Sequence, residues 1–356
     1  MAPPFIRSTI RGMVGYTPGE QPGLGERVVK LNTNENPFGP SPRVLQAIRE
    51  IEPEALRRYP NPTADEFREA AAKLFDVTPD NIIAGNGSDD ILTIATRTFI
   101  GPGGRLAYPD PTYSLYPVLA KLDDAEAVPV PWEKNYALPV DALLATKAHA
   151  IYLANPNAPT GTFIPPATIG ALAGKFSGLV LVDEAYVDFA DDHCVALVKE
   201  HRNVVVSRSL SKAYALAGLR FGFAIAQKDV IDEMMKVKDS YNCDAISVAA
   251  ATAAILDQEH ARKSWEHVRA ERSRMSDELN GMGWDVIPSQ ANFILVNVPG
   301  GHAREAYLGL KKQGILVRYF DKPGLNDKIR ITIGTAQENN ALLGGLKNLH
   351  VAEKAA

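Results

Sequence analysis

The apolar positions of the chain fall into two rhythms. Short runs that are apolar throughout, at 82–84, 106–108, 150–153, 179–182, 204–206 and 221–226, alternate with stretches of helical spacing. Such runs, buried on both faces and separated by helices, predict the strands of a mostly parallel sheet. Ser41 followed by Pro42 predicts a capped helix start, with Val44, Leu45 and Ile48 on its apolar face. Thr63-Ala-Asp-Glu66 reads as a capping box that opens another helix, with Phe67, Ala70, Ala71 and Leu74 turned inward.

After residue 228 the pattern changes. Helices are predicted at 229–241, 248–256 and 259–279. A strand at 293–298, a helix at 302–313, strands at 315–317 and 329–333, and a last helix to about 349 follow. The fold class is therefore α/β: a large domain with a mostly parallel sheet flanked by helices, plus a smaller α+β domain. The expected division is an N-terminal arm, 1–45, that contributes to the small domain, a large domain at 46–270 and a small C-terminal domain at 271–356.

Composition narrows the function without naming it. Lys and Arg number 38 against 42 Asp and Glu, for a net charge of −4. A mildly acidic chain lacks the basic footprint of a nucleic-acid binder. No apolar run approaches the roughly 18 residues of a membrane span. MAPPFIR has no basic segment leading into an apolar one, so a cytoplasmic protein is expected. Cys194 and Cys243 show no metal-ligand spacing, and no metal is expected. The chain has no G-x-G-x-x-G, no Walker A and no H-E-x-x-H. Ser209-Leu-Ser-Lys212 matches an S-x-x-K motif, but the S-D-N and K-T-G partners of acyl-serine enzymes are missing.

The same lysine carries a different chemistry. Lys212 follows the apolar run 204–206 and precedes a series of small residues. Desolvation there lowers an amine's pKa and makes it a Schiff-base former, although a lone lysine is more often a solvated side chain. Asp183 ends the apolar run 179–182, at the strand end where open α/β sheets bind ligands. A buried carboxylate needs a cationic partner, and a pyridinium nitrogen is one. Pyridoxal phosphate (PLP) sites combine a Schiff-base lysine with such an Asp. In GNGSDD (85–90) a strand turns through glycines into a helix start, whose free N–H groups suit a phosphate. Ser209, Ser211 and Arg220 can add contacts to the same dianion. Tyr113 can stack on an aromatic ring or serve simply as a core tyrosine.

These segments, LNTNENPFGPSP (31–42), RYPNP (58–62), GNGSDD (85–90), YPDPTYSLYP (108–117), NPNAPTG (155–161), VDEAYVDF (182–189) and SLSKAYALAGLRFGF (209–223), occur in the order found in the fold-type-I PLP aminotransferases. The sequence resembles that family, and within it most closely the histidinol-phosphate aminotransferases of histidine biosynthesis. The resemblance implies that Lys212 carries PLP and shuttles a proton, and that Asp183 pairs with the pyridine nitrogen. Tyr186 would hydrogen-bond the cofactor phenolate oxygen, and Tyr113 would stack on the ring. Gly87, Ser88 and Asp89, with Ser209, Ser211 and Arg220, would form the phosphate cup. Tyr59 would reach the cofactor phosphate of a second subunit, making a homodimer. The family usually reads Asn-Asn-Pro-Thr-Gly, with the Asn before Pro touching the phenolate oxygen. Here that position is Ala158, so either Asn157 substitutes or Tyr186 carries the contact alone.

The resemblance also assigns the substrate end to Arg330, Arg318, Tyr16 and Asn34. Two guanidiniums suit a phosphate dianion, which favours a phosphorylated amine. The implied reaction exchanges amino groups between histidinol phosphate and 2-oxoglutarate or glutamate. An aromatic amino-acid aminotransferase is the nearest alternative, followed by a threonine-phosphate decarboxylase. A PLP-binding protein without catalysis is a reading of another class.

Overall fold

The computed structural model of the chain describes residues 5–23 and 25–355. Seven strands make the main sheet: β1 (Ile82–Gly85), β2 (Arg105–Asp110), β3 (Glu126–Pro131), β4 (Ala150–Ala154), β5 (Leu179–Asp183), β6 (Val204–Ser209) and β7 (Gly222–Ile225). Their spatial order is β1-β7-β6-β5-β4-β2-β3. All neighbouring pairs are parallel except those of β7, which runs antiparallel to both β1 and β6. The strands read as unbroken apolar runs because alternate residues enter different cores. Val180 and Val182 join one buried cluster and Leu181 the other. The sequence pattern did not predict β3. Its EAVPVP holds two prolines, which a sheet tolerates at the edge position β3 occupies.

The helix Pro42–Arg49 starts as expected, with the Ser41 hydroxyl accepting from the Arg43 N–H, but Leu45 faces outward at 47% exposure. The predicted capping box at Thr63 does not form. The helix Asp65–Phe75 begins after Ala64, whose left-handed backbone (φ 54°) breaks the cap geometry, and Leu74 also faces outward. The helices Lys228–Met235 and Ala245–Leu256 pack on the main-sheet unit rather than on the smaller one.

The smaller unit is an antiparallel sheet in the order Arg318–Tyr319, Lys328–Thr332, Phe293–Asn297, Asp285–Ile287; the helix Ala303–Lys312 packs on it, and Ala336–Ala355 packs on that helix. The arm joins this end of the molecule: Val29–Lys30 pairs parallel with Ile315–Leu316. Among the described residues no helix is long and apolar enough to cross a membrane, and no His/Cys/Asp/Glu group could hold a metal ion.

Candidate active site

A cavity of about 550 Å³ opens beside the carboxyl ends of β2, β5 and β6. Parallel strands deliver their side chains there, so the apolar runs end in Asp110, Asp183 and Ser209. The arm supplies Tyr16 and Asn32 to Asn34 to the opposite wall, and the smaller unit supplies Arg318, Phe320 and Arg330.

Lys212 lies in the single turn Leu210–Ala213 directly after β6. Ser209 caps that turn by accepting from the Ser211 N–H at 3.2 Å. The Lys212 Nζ donates to the Thr33 carbonyl at 2.9 Å. Burial pulls its pKa from 10.5 down to about 8. Arg330, Arg220 and Lys30 push the same way, and Glu35 opposes them. Near neutrality a useful fraction of this amine is therefore uncharged.

Asp183 is buried at the end of β5. Tyr116 donates its hydroxyl proton to Oδ2 at 3.1 Å, while Oδ1 is buried without a hydrogen-bond partner. Burial pushes the carboxyl up to about 7, against the hydrogen bond from Tyr116. A cationic ring nitrogen would satisfy the orphaned oxygen and hold the group ionised. Tyr186 packs edge-on against Phe293 with centroids 5.0 Å apart, and its oxygen accepts from the Asn34 Nδ2 at 3.1 Å.

The corner next to Lys212 suits a dianion. The helix Ser88–Phe99 starts at Gly87, which has φ +87° and no side-chain cap, so the first N–H groups face the cavity end uncapped by a side chain. A Cβ on Gly87 would come within 2.7 Å of the Arg220 Nη2. Arg220 also reaches the Asp89 Oδ2 at 3.3 Å and the Ser211 Oγ at 3.4 Å. Tyr113 donates to the other Asp89 oxygen at 3.0 Å. Ser88, Asp89, Tyr113, Ser209, Ser211 and Arg220 all line the cavity.

At the far wall Arg318 and Arg330 are cross-strand partners. Arg330 is largely desolvated, which lowers its pKa, and its ring-side neighbours are Phe293 and Phe320, with the guanidinium carbon 5.1 and 5.6 Å from their centroids. Its Nη2 donates to the Asn32 carbonyl at 3.0 Å, and its Nε is buried with no partner. Arg318 donates to the Thr17 and Pro18 carbonyls, each at 3.3 Å. Among the described residues neither arginine pairs with a carboxylate. Tyr16 meets Tyr113 edge to face at 5.9 Å.

Two candidates stand apart from this cavity. The Asn157 amide donates to the Pro111 carbonyl (3.1 Å) and the Thr160 Oγ1 (2.8 Å), and its oxygen accepts from the Thr112 Oγ1 (2.7 Å). With every polar atom engaged elsewhere, Asn157 does not substitute for the missing family Asn, and Ala158 forms the wall there. Tyr59 is 80% exposed and stacks on Tyr241 at 4.4 Å, outside the cavity of its own chain. Sequence reasoning missed Tyr116, whose only signal was its place three residues after Tyr113. It also missed the Thr33 carbonyl, a backbone contact with no residue-type signal.

The family model for aminotransferases of class I and II matches residues 26–346. Histidinol-phosphate aminotransferase 1 of Trichormus variabilis is 45% identical over 345 residues, covering 97% of this chain and 99% of its own. Histidinol-phosphate aminotransferase of Microcystis aeruginosa is 43% identical, covering 96% and 98%. The crystal structure of histidinol-phosphate aminotransferase from Sinorhizobium meliloti in complex with pyridoxal-5'-phosphate superposes with a TM-score of 0.90 at 26% identity, covering 100% of this chain and 99% of that one.

Proposed function

The chain belongs to the class I and II aminotransferases, and on that premise we propose that it moves the amino group of L-histidinol phosphate to 2-oxoglutarate, giving imidazole-acetol phosphate and L-glutamate in two ping-pong halves. The observation that carries the substrate is the half-buried Arg330, its buried Nε without a partner, set beside Arg318 in the cavity that holds Lys212. Two guanidiniums free of carboxylates match a phosphate ester in one half-reaction and a dicarboxylate in the other.

PLP fits the remaining residues, and when bound it supplies the electron sink that amino-group transfer requires. Asp183 would meet its ring nitrogen with the unpartnered Oδ1. The N–H groups after Gly87, with Ser88, Asp89, Ser209, Ser211 and Arg220, would hold its phosphate, Arg220 offsetting the charge of Asp89. Tyr113 would lie against its ring, and Tyr186 would face its phenolate oxygen. Lys212 would hold the cofactor and, once released as a free amine of lowered pKa, would take the proton from the substrate carbon that bears nitrogen and hand it on. The exposed Tyr59 would complete the phosphate site of a second copy, which makes the working unit a homodimer of the cytoplasm.

The test is a pair of half-reactions with PLP-loaded protein. Glutamate should convert the visible absorbance, and histidinol phosphate should exceed phenylalanine in kcat/KM by at least about 10²-fold, or about 2.7 kcal/mol. Equal or better use of phenylalanine would make the chain an aromatic aminotransferase. Release of CO₂ from a phosphorylated amino acid would make it a decarboxylase.

A further inference from the structure

At the position where the resemblance leads one to expect an asparagine, the cavity wall carries the methyl group of Ala158. Ala158 packs with Ala291, Phe293 and the ring of Tyr186 in a small apolar cluster. Asn157 is committed to Pro111, Thr160 and Thr112. Tyr186 is left as the hydroxyl on that side, and what it offers depends on which of its neighbours takes its proton.

That neighbour is Asn34, which is 1% exposed and holds a left-handed backbone at φ 58°. Its orientation is fixed from behind. The Thr332 Oγ1 accepts the Asn34 backbone N–H at 3.0 Å and donates its own proton to the Asn34 Oδ1 at 3.1 Å. Asn292 donates to the Asn34 carbonyl at 2.9 Å. The amide oxygen is therefore turned to Thr332 and the amide nitrogen to Tyr186, where it donates to the phenol oxygen at 3.1 Å. An oxygen in that place would draw off the Tyr186 proton. A nitrogen leaves the proton free and polarises it outward.

We infer that Asn34 is a positioning residue that acts through Tyr186: its amide fills the phenol's acceptor site, so that the Tyr186 proton points to the cofactor's phenolate oxygen and makes the hydrogen bond that the Ala158 methyl cannot. The inference rests on PLP being held at Lys212, and it moves Asn34 from the substrate end to the cofactor end of the site. It also explains why one segment serves both groups, since the Thr33 carbonyl next to Asn34 accepts from the Lys212 Nζ.

The readout is the pH midpoint of the visible absorbance change of the PLP-loaded protein. A proton donated to the phenolate oxygen stabilises it most when the Lys212 nitrogen carries no charge, so losing the donor raises the midpoint. The charged and titratable groups facing Tyr186 are Arg330, Asp183, Tyr16 and Tyr113, and those facing Lys212 are Arg330, Glu35, Arg220 and Lys30. None of them is altered in the neutral variant. Asn34→Gly keeps the positive φ and deletes the amide. Asn34→Asp keeps the shape and reverses the hydrogen bond. Each should raise the midpoint by about half a unit or more, a threefold change in proton affinity. Tyr186→Phe should raise it further, and Asn34→Gly added to Tyr186→Phe should add nothing. The inference is overturned if both Asn34 variants titrate like the parent while Tyr186→Phe shifts, or if Asn34→Gly keeps its full effect without the phenol. If Tyr186→Phe itself titrates like the parent, the placement of Tyr186 at the cofactor fails along with it.

Discussion

The two walls of the cavity are built on different terms. On the Lys212–Asp183 wall the side chains stand at the ends of adjacent parallel strands, and the sheet register Asp183↔Ser207 fixes their spacing. On the Arg318–Arg330 wall the strands are short and antiparallel, and the guanidiniums are held by carbonyls of the arm at Thr17, Pro18 and Asn32. Carbonyls steer a guanidinium without neutralising it, so its charge stays available to an anion. The difference separates two tasks: the sheet holds the chemistry in place, and the arm with the smaller unit holds a charge in reserve.

Substitutions can break or sharpen this contrast. The largest effect is expected from Lys212→Ala, which should remove the visible band of the PLP-loaded protein and lower kcat by about 10⁴-fold or more. A persisting band would take Lys212 out of its role. Arg330→Ala should leave the band intact and raise KM for both phosphate and dicarboxylate substrates, with a loss of about 10²-fold in kcat/KM, near 3 kcal/mol. Unchanged kinetics would place the charge reserve elsewhere.

A stability measurement probes the first wall alone. The folded state binds the Lys212 proton less tightly than the unfolded chain, which binds it up to 10.5, so between about pH 8 and 10.5 the unfolded state holds more protons. This group's contribution to stability therefore rises with pH through that window, by up to about 3 kcal/mol. Urea unfolding of cofactor-free protein at several pH values should show that rise, and Lys212→Met should flatten it. An equal slope in the variant would mean that the burial of this amine is not its source. The smallest effect belongs to Tyr116→Phe. Without its proton donor the Asp183 carboxyl moves higher still, and PLP affinity should fall by about tenfold or less. Affinity equal to the parent's would show that Asp183 needs no help from Tyr116.

Much of the first wall was legible in the chain. Apolar runs ending in Asp183 and Ser209 announce strand ends, and the glycines of GNGSDD announce the turn into a helix. The β3 edge strand hid behind its prolines, and the antiparallel course of β7 left no mark because a buried strand is apolar in either direction. The second wall was legible as residue types, two strand arginines, but their cross-strand pairing and their carbonyl partners are tertiary facts. Asn157 shows the limit of reading a motif one residue out of register: in the turn that follows Ala150–Ala154 its amide bonds to Pro111 and Thr160 rather than facing the cavity.

The bond between Asn34 and Thr332 closes a span of 298 residues. Contacts of such separation form slowly, because the chain entropy of closing the loop comes due before the contact repays it. As the chain grows from its N-terminus, the main sheet with Lys212 and Asp183 can form while Thr332 is still unmade. The orientation of Tyr186 waits for the strand Lys328–Thr332, which is made well after Lys212 and Asp183.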